Sequence, residues 1–350
     1  MSLESYIAAM PKVELHVHLE GSTQPETLLK IAQRNKIKLP ADTVEGLREL
    51  YQYRNFDDFI KIYLMIVGAF KTPQDFTDLV YDFGAEMHRQ NIRYSEVTWT
   101  PQLHVPFNAE IPFTDLLQAL NDGRQKAKDD FGVDMCWIPD IARNFPEFKK
   151  QTQEWLCSDE ALNGGVVAFG LGGAEVGYPP EDFEDVFTIA REQYGLPANP
   201  HAGETVGPAS VWGAIKSLKA VRIGHGVRAI EDLELVKYLA EHKIPLEVNP
   251  TSNLKLQIYP SYDDHPLKKL MDAGCIVSIN SDDPPLFNTT LTEEYLHAIQ
   301  DCGLTLSELE KTVLDALDTS YLPKDTKHQL KIEFSADFAR LRTEHGVQDV

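Results

Sequence analysis

Short apolar runs rich in β-branched and aromatic residues recur along the chain, and most are followed by a stretch whose apolar positions return every three or four residues. The first pattern predicts strands, the second helices that bury one face. Eight strands are expected, at 13–19, 92–99, 133–138, 166–171, 196–202, 221–225, 244–248 and 275–279. Helical spacing is clear at 181–194, 209–218, 230–242 and 266–272, and several of these stretches open with a proline or an acidic residue, which a helix N-terminus favours. Regular alternation of strand and helix implies a parallel sheet covered by helices. Eight units predict an α/β fold of the closed (β/α)₈ TIM-barrel type, because a doubly wound sheet would normally carry a glycine-rich phosphate turn after its first strand, and no GxGxxG follows Leu19.

Two segments exceed this plan. Residues 26–90 form a long helical insertion after strand one, with Phe56, Phe59, Ile60, Tyr63 and Leu64 at helical spacing. It is expected either to cover the C-terminal face as a lid or to pack outside the barrel as extra helices. The tail, 291–342, predicts two or three more helices. No repeat, low-complexity tract or linker divides the chain, so residues 1–350 are expected to form a single domain.

Composition narrows the partners. Lys+Arg 33 against Asp+Glu 54 gives 33 − 54 = −21 over 350 residues. That excess of acid disfavours a nucleic-acid backbone or an anionic membrane, both of which select basic surfaces. It leaves small molecules open and says nothing of protein partners. Cys136, Cys157, Cys275 and Cys302 contain no CxxC and suggest neither a thiolate metal cluster nor a disulfide framework. No signal-like start and no run of roughly 18 apolar residues is present, and a cytoplasmic location is expected.

Candidate chemistry gathers at the strand ends. His16 and His18 are two apart on strand one, so both imidazoles face the same way and can reach one metal ion; two satisfied polar side chains are the plainer reading. His201-Ala202-Gly203-Glu204 ends strand five, where a third imidazole and a carboxyl able to move protons would stand. Glu204 could equally be a helix-start residue. His225, between Gly224 and Gly226, ends strand six, and Asp282-Asp283-Pro284 follows strand eight, where a helix cap is the plainer reading. All these residues fall at the C-terminal mouth, where barrel active sites are built. Nitrogen ligands with one oxygen suit zinc better than calcium or magnesium, and the chemistry they point to is metal-assisted attack by water.

The motifs His16-Val17-His18 within 11–18, His201-Ala202-Gly203-Glu204, His225-Gly226 and Ser281-Asp282-Asp283-Pro284 resemble, in order and identity, those of the adenosine and adenine deaminase family of the amidohydrolase superfamily. The resemblance implies one Zn²⁺ per chain on His16, His18, His201 and Asp282. It implies that His225 orients and helps deprotonate the attacking water, that Glu204 protonates purine N1, that Asp283 contacts N7 and that the Gly173 amide contacts N3. His18 and Glu20 fall in the substrate-contacting segment. Adenosine deaminases generally carry aspartate where this chain has Glu20, whereas adenine deaminases resemble it in having glutamate. Gly170 and Ala174 replace acidic residues of many adenosine deaminases. The leading expectation is deamination of adenosine or deoxyadenosine. Adenine and modified adenine nucleosides such as 6-amino-6-deoxyfutalosine are the alternatives, and a non-catalytic binder is a distant third. Among the remaining residues, His88, His104, His242, His265, His297, His328 and His345 are expected on the surface or on helices, and Arg143 is a candidate to brace the site through a carboxylate.

Overall fold

The computed structural model describes residues 2–53, 56–105 and 111–348, without the side chains of 56 and 57. Its strands are β1 (Lys12–His18), β2 (Ile92–Trp99), β3 (Asp134–Ala142), β4 (Phe169–Gly172), β5 (Ala198–Ala202), β6 (Ile223–His225), β7 (Leu246–Val248) and β8 (Val277–Ile279). They form one sheet in sequence order, every pair parallel. The sheet returns on itself through a bridge between Val17 and Asp282. There the His18 N–H donates to the Asp282 carbonyl at 2.8 Å, and the Asp282 N–H to the His16 carbonyl at 3.2 Å. The TIM-barrel-like α/β fold expected from the alternation is therefore present.

Strand limits moved where pairing decides them. β3 runs on to Ala142 because Asp140, Ile141 and Ala142 pair with Gly170, Leu171 and Gly172. β4 starts only at Phe169, and Val166 contributes an isolated bridge to Trp137. The stretch 209–218 is a short helix, Pro208–Gly213, that widens into a π turn over Ala214–Leu218.

Local signals account for the helices of the insertion. Pro25–Asn35 and Pro73–Arg89 open on proline, whose missing N–H costs nothing at a helix start. Val44–Leu50 is capped by Thr43, whose hydroxyl accepts the Gly46 N–H. Phe56–Ala69 completes the set. The tail makes three helices, Leu291–Gln300, Leu306–Thr319 and Lys324–His345. Both faces of the central strands are buried, as a parallel sheet wrapped by helices requires, and their side chains belong to one apolar core. Lys12 is buried in it, and its ammonium donates to the carbonyls of Met10 and Gln90. Among the described residues, no helix is long and apolar enough to cross a membrane.

Candidate metal centre and its surroundings

The strand ends converge. His16 and His18 project from β1 on one side of the sheet, His201 from β5, and Asp282 from the residues that follow β8. His18 Nε2 lies 3.1 Å from His201 Nε2. Asp282 Oδ1 lies 3.5 Å from His16 Nε2 and 3.4 Å from His18 Nε2. One ligand atom from each of the four residues falls within 4.8 Å of all the others. Such proximity needs space: a Cβ on Gly224 would sit 2.8 Å from the His16 ring. It also needs an unusual backbone, because Asp282 takes φ 65° and His225 φ 61°. Left-handed geometry costs a non-glycine residue about 1–3 kcal/mol, and here the bridge from Asp282 to β1 holds it in place.

These residues fit a cation. The His16 Nδ1–H donates to Glu247 Oε2 at 2.8 Å, which leaves a lone pair on Nε2, and that buried Nε2 has no hydrogen-bond partner. Burial opposes charge on this ring, yet Asp282 and Glu247 raise its pKa to about 10, so the field at Nε2 favours a positive ion. His18 and His201 are shifted the other way by burial and by the neighbouring imidazoles, so they offer unprotonated nitrogens. Imidazole with a single carboxylate is the donor set of a transition-metal ion, not of calcium.

Buried polar groups hold the four in position. Glu247 is paired with Arg222, receives the Asn199 amide at 3.2 Å, and Arg222 also reaches Glu96 at 2.5 Å. Asp282 Oδ2 accepts the Ser252 hydroxyl at 2.6 Å. Glu175 organises the turn after β5 by accepting the N–H groups of Gly203, Glu204, Thr205 and Val206. Arg143 does brace the site, but through carbonyls and not a carboxylate: it donates to His201 O at 2.5 Å and to Leu171, Gly172 and Tyr178.

Neither remaining acid uses its carboxyl to start or cap a helix. After Glu204 the next helix begins only at Pro208. Asp283 makes no capping bond to Pro284–Phe287, and its buried Oδ1 is unpartnered. Gly21 leaves room for it, since a Cβ there would overlap that oxygen. Burial, then the Asp282 charge, holds both the Glu204 and Asp283 carboxyls well above the usual carboxylate range, so each can carry a proton at neutral pH. His225 Nε2 faces Glu204 Oε1 and Asp282 Oδ2, each at 3.7 Å.

A cavity opens over these groups. His18, His201, Glu204, His225, Asp282, Asp283 and Gly173, which takes φ 80°, line its floor. Phe59, Ile60, Tyr63 and Leu64 of the insertion line one side, and Phe59 also stacks on Phe287, so it serves both cavity and core. Phe56 lies outside the described side chains. Glu20 is buried with its Oε1 on the Thr100 N–H at 3.0 Å and on His104 Nε2 at 2.9 Å, and its Oε2 is 3.4 Å from the Tyr63 hydroxyl. His104 lies on a helix, Pro101–His104, as expected, but is buried, and His265 is on neither surface nor helix; both belong to the polar framework. The sequence reading also passed over Glu175, Arg222, Glu247 and the run 249–253. Their only local signal was position: Glu175 two residues past Gly173, Arg222 immediately before β6, Glu247 inside β7 and 249–253 just after it.

A parallel barrel with candidate imidazole and carboxylate ligands at its C-terminal mouth, and with buried acids of raised pKa beside them, is the arrangement of an amidohydrolase-type enzyme. The chain belongs to the adenosine deaminase family, whose model matches residues 11–336. It is 38% identical over 332 residues to the aminodeoxyfutalosine deaminase of Streptomyces avermitilis, covering 95% of this chain and 92% of that one. To the adenine deaminase of Crocosphaera subtropica it is 36% identical over 337 residues, covering 95% and 100%. The crystal structure of an amidohydrolase from Burkholderia ambifaria with bound Zn superposes with a TM-score of 0.90 at 25% identity, covering 99% of this chain and 96% of that one. The protein is a purine deaminase, a hydrolase of C–N bonds that acts on adenine-type purines.

Proposed function

We propose that this deaminase is zinc-dependent and acts on an adenine nucleoside with a large 5′ substituent, of the 6-amino-6-deoxyfutalosine kind, rather than on adenosine itself. The observation that carries this reading is the cavity. It opens to solvent, and Phe59, Ile60, Tyr63, Leu64, Leu103, Phe145 and Leu256 give it apolar walls beyond the polar floor. The polar groups that would take the purine lie on the floor, so these apolar side chains are left to cover whatever extends from it, as a 5′ substituent would. Relatives named aminodeoxyfutalosine and adenine deaminases support the same choice over adenosine. Adenine is the second reading, favoured by Glu20: its Oε1 is already engaged by the Thr100 N–H and His104 rather than left free for a ribose hydroxyl.

His16, His18, His201 and Asp282 would hold the zinc. When bound, the ion supplies a water acidic enough to attack near neutral pH. Glu204, protonated because it is buried beside Asp282 and Glu175, donates to purine N1 and makes C6 more electrophilic. Asp283 carries a proton for the same kind of reason, and N7 can only accept, so the two are complementary. The Gly173 N–H donates to N3, and His225 orients the attacking water. Addition at C6 followed by loss of ammonia leaves the 6-oxo purine. Ligands come from β1, β5 and β8, which supports treating residues 1–350 as one working domain, with the insertion 26–90 as a lid-like wall.

A substrate panel decides. Zinc-loaded protein is incubated with 6-amino-6-deoxyfutalosine, adenosine and adenine, and ultraviolet absorbance and ammonia are followed. The expected result is a kcat/KM for the first at least about tenfold above the others, lost on chelation and restored by zinc. A preference for adenine installs the second reading, and no conversion of any member overturns both.

A further inference from the structure

Behind His225 runs a chain of hydrogen bonds whose direction is determined at its far end. The backbone N–H of Leu267 donates to His265 Nδ1 at 3.2 Å. A backbone amide can only donate, so His265 Nδ1 carries no proton and its Nε2 must. His265 Nε2 lies 3.0 Å from Asn253 Oδ1, which accepts that proton and thereby turns the Asn253 NH₂ toward His225. Asn253 Nδ2 lies 3.2 Å from His225 Nδ1.

Asn249 gives the same answer by an independent route. Its Nδ2 lies 3.2 Å from the Glu247 carbonyl, which only accepts, and 3.3 Å from His225 Nδ1. Its Oδ1 is left without a partner, so the orientation that serves Glu247 and His225 is kept although an oxygen goes unbonded. Asn249, Asn253, His265 and His225 are all buried, and no solvent competes for these bonds.

We infer that His265, Asn253 and Asn249 are positioning residues that lock His225 in the tautomer with its proton on Nε2, so that this nitrogen faces the reacting water as a donor and not as a base. The inference rests on the proposed reaction for its catalytic meaning, but not for the tautomer. At 3.7 Å from Glu204 Oε1 and Asp282 Oδ2, Nε2 is too far to bond either acid directly, and a water among the three would take its N–H. Glu204, once it has given its proton to N1, takes the proton this water loses, and the lone pair so freed is the one turned to C6. The polar run 249–253, which no sequence motif marked, gains a role as the rear wall of the imidazole.

The test reads the proton directly. Zinc-loaded protein labelled with ¹⁵N-histidine is studied by proton–nitrogen correlation, and the His225 ring is assigned by its loss in His225→Gln. Nε2 protonated and Nδ1 bare is the expected pattern; a proton on Nδ1 overturns the inference. His265→Phe should lower kcat by roughly tenfold or more with KM, zinc content and melting temperature unchanged, and should weaken the Nε2–H signal. His265→Gln, which can restore the donor to Asn253, should recover most of the rate. Zinc or melting temperature falling in step with kcat in both variants would make the chain mere scaffold and sink the idea. The spectrum needs no substrate, so a failed substrate panel would count against the proposed function and leave this result standing.

Discussion

The two walls of the cavity are held by different forces. The wall built from β5 to β8 with the end of β1 is a polar framework in which the side chains facing the cavity are fixed from behind: His16 by Glu247, Asp282 by Ser252, His225 by two asparagines, and the Glu204 turn by Glu175. The opposite wall, from the insertion and the ends of β2 and β3, is mostly apolar and is held by packing, with Phe59 on Phe287 and Tyr63 anchored by one long contact to Glu20. Directional bonds suit the first, where an error of an ångström in a proton donor costs rate. Packing suits the second, which must accept a shape more than a charge.

The comparison predicts that substitutions on the polar wall strike turnover or metal, and those on the apolar wall strike substrate affinity. The largest effect is expected for Glu204→Gln: kcat falls by about 10²–10⁴ while zinc content stays at one per chain, measured by steady-state kinetics and metal analysis of the same sample. Equal loss of zinc and rate would move Glu204 from proton donor to metal holder. Next is Glu247→Gln, which keeps an acceptor for His16 but removes the charge. Zinc affinity, read by competition with a chelator, should drop about 10- to 100-fold. Unchanged affinity would reduce the chain Glu96–Arg222–Glu247 to structural support. The smallest is Tyr63→Leu on the apolar wall, with KM raised by about tenfold and kcat and zinc unaltered. A fall in kcat alone would erase the distinction between the two walls.

Much of this was legible in one dimension. Periodicity marked every strand of the barrel, because buried parallel strands stay rich in apolar residues even where Glu96, Asn199 or Glu247 interrupts them. His16 and His18 could be placed on one face of a strand from their spacing alone. The burial of His104 and His265 could not be read that way. One sits four residues into a loop helix and the other before Pro266, and nothing near them in the chain tells that their partners are Glu20, 84 positions away, and Asn253 across a turn. Arg143 was found but given the wrong kind of partner, since carbonyls are everywhere in a sequence and only strand ends brought together select four of them.

The chain by itself therefore determined the eight-unit alternation, the candidate ligands and acids, and the end of the barrel they occupy, because these follow from residue type and local period. Which nitrogen of His16 or His225 carries a proton, and which carboxyls keep theirs, was decided only by the tertiary structure. Protonation depends on burial and on partners such as Arg222 and Glu96, 126 positions apart, and closing the barrel is what brings those partners into contact.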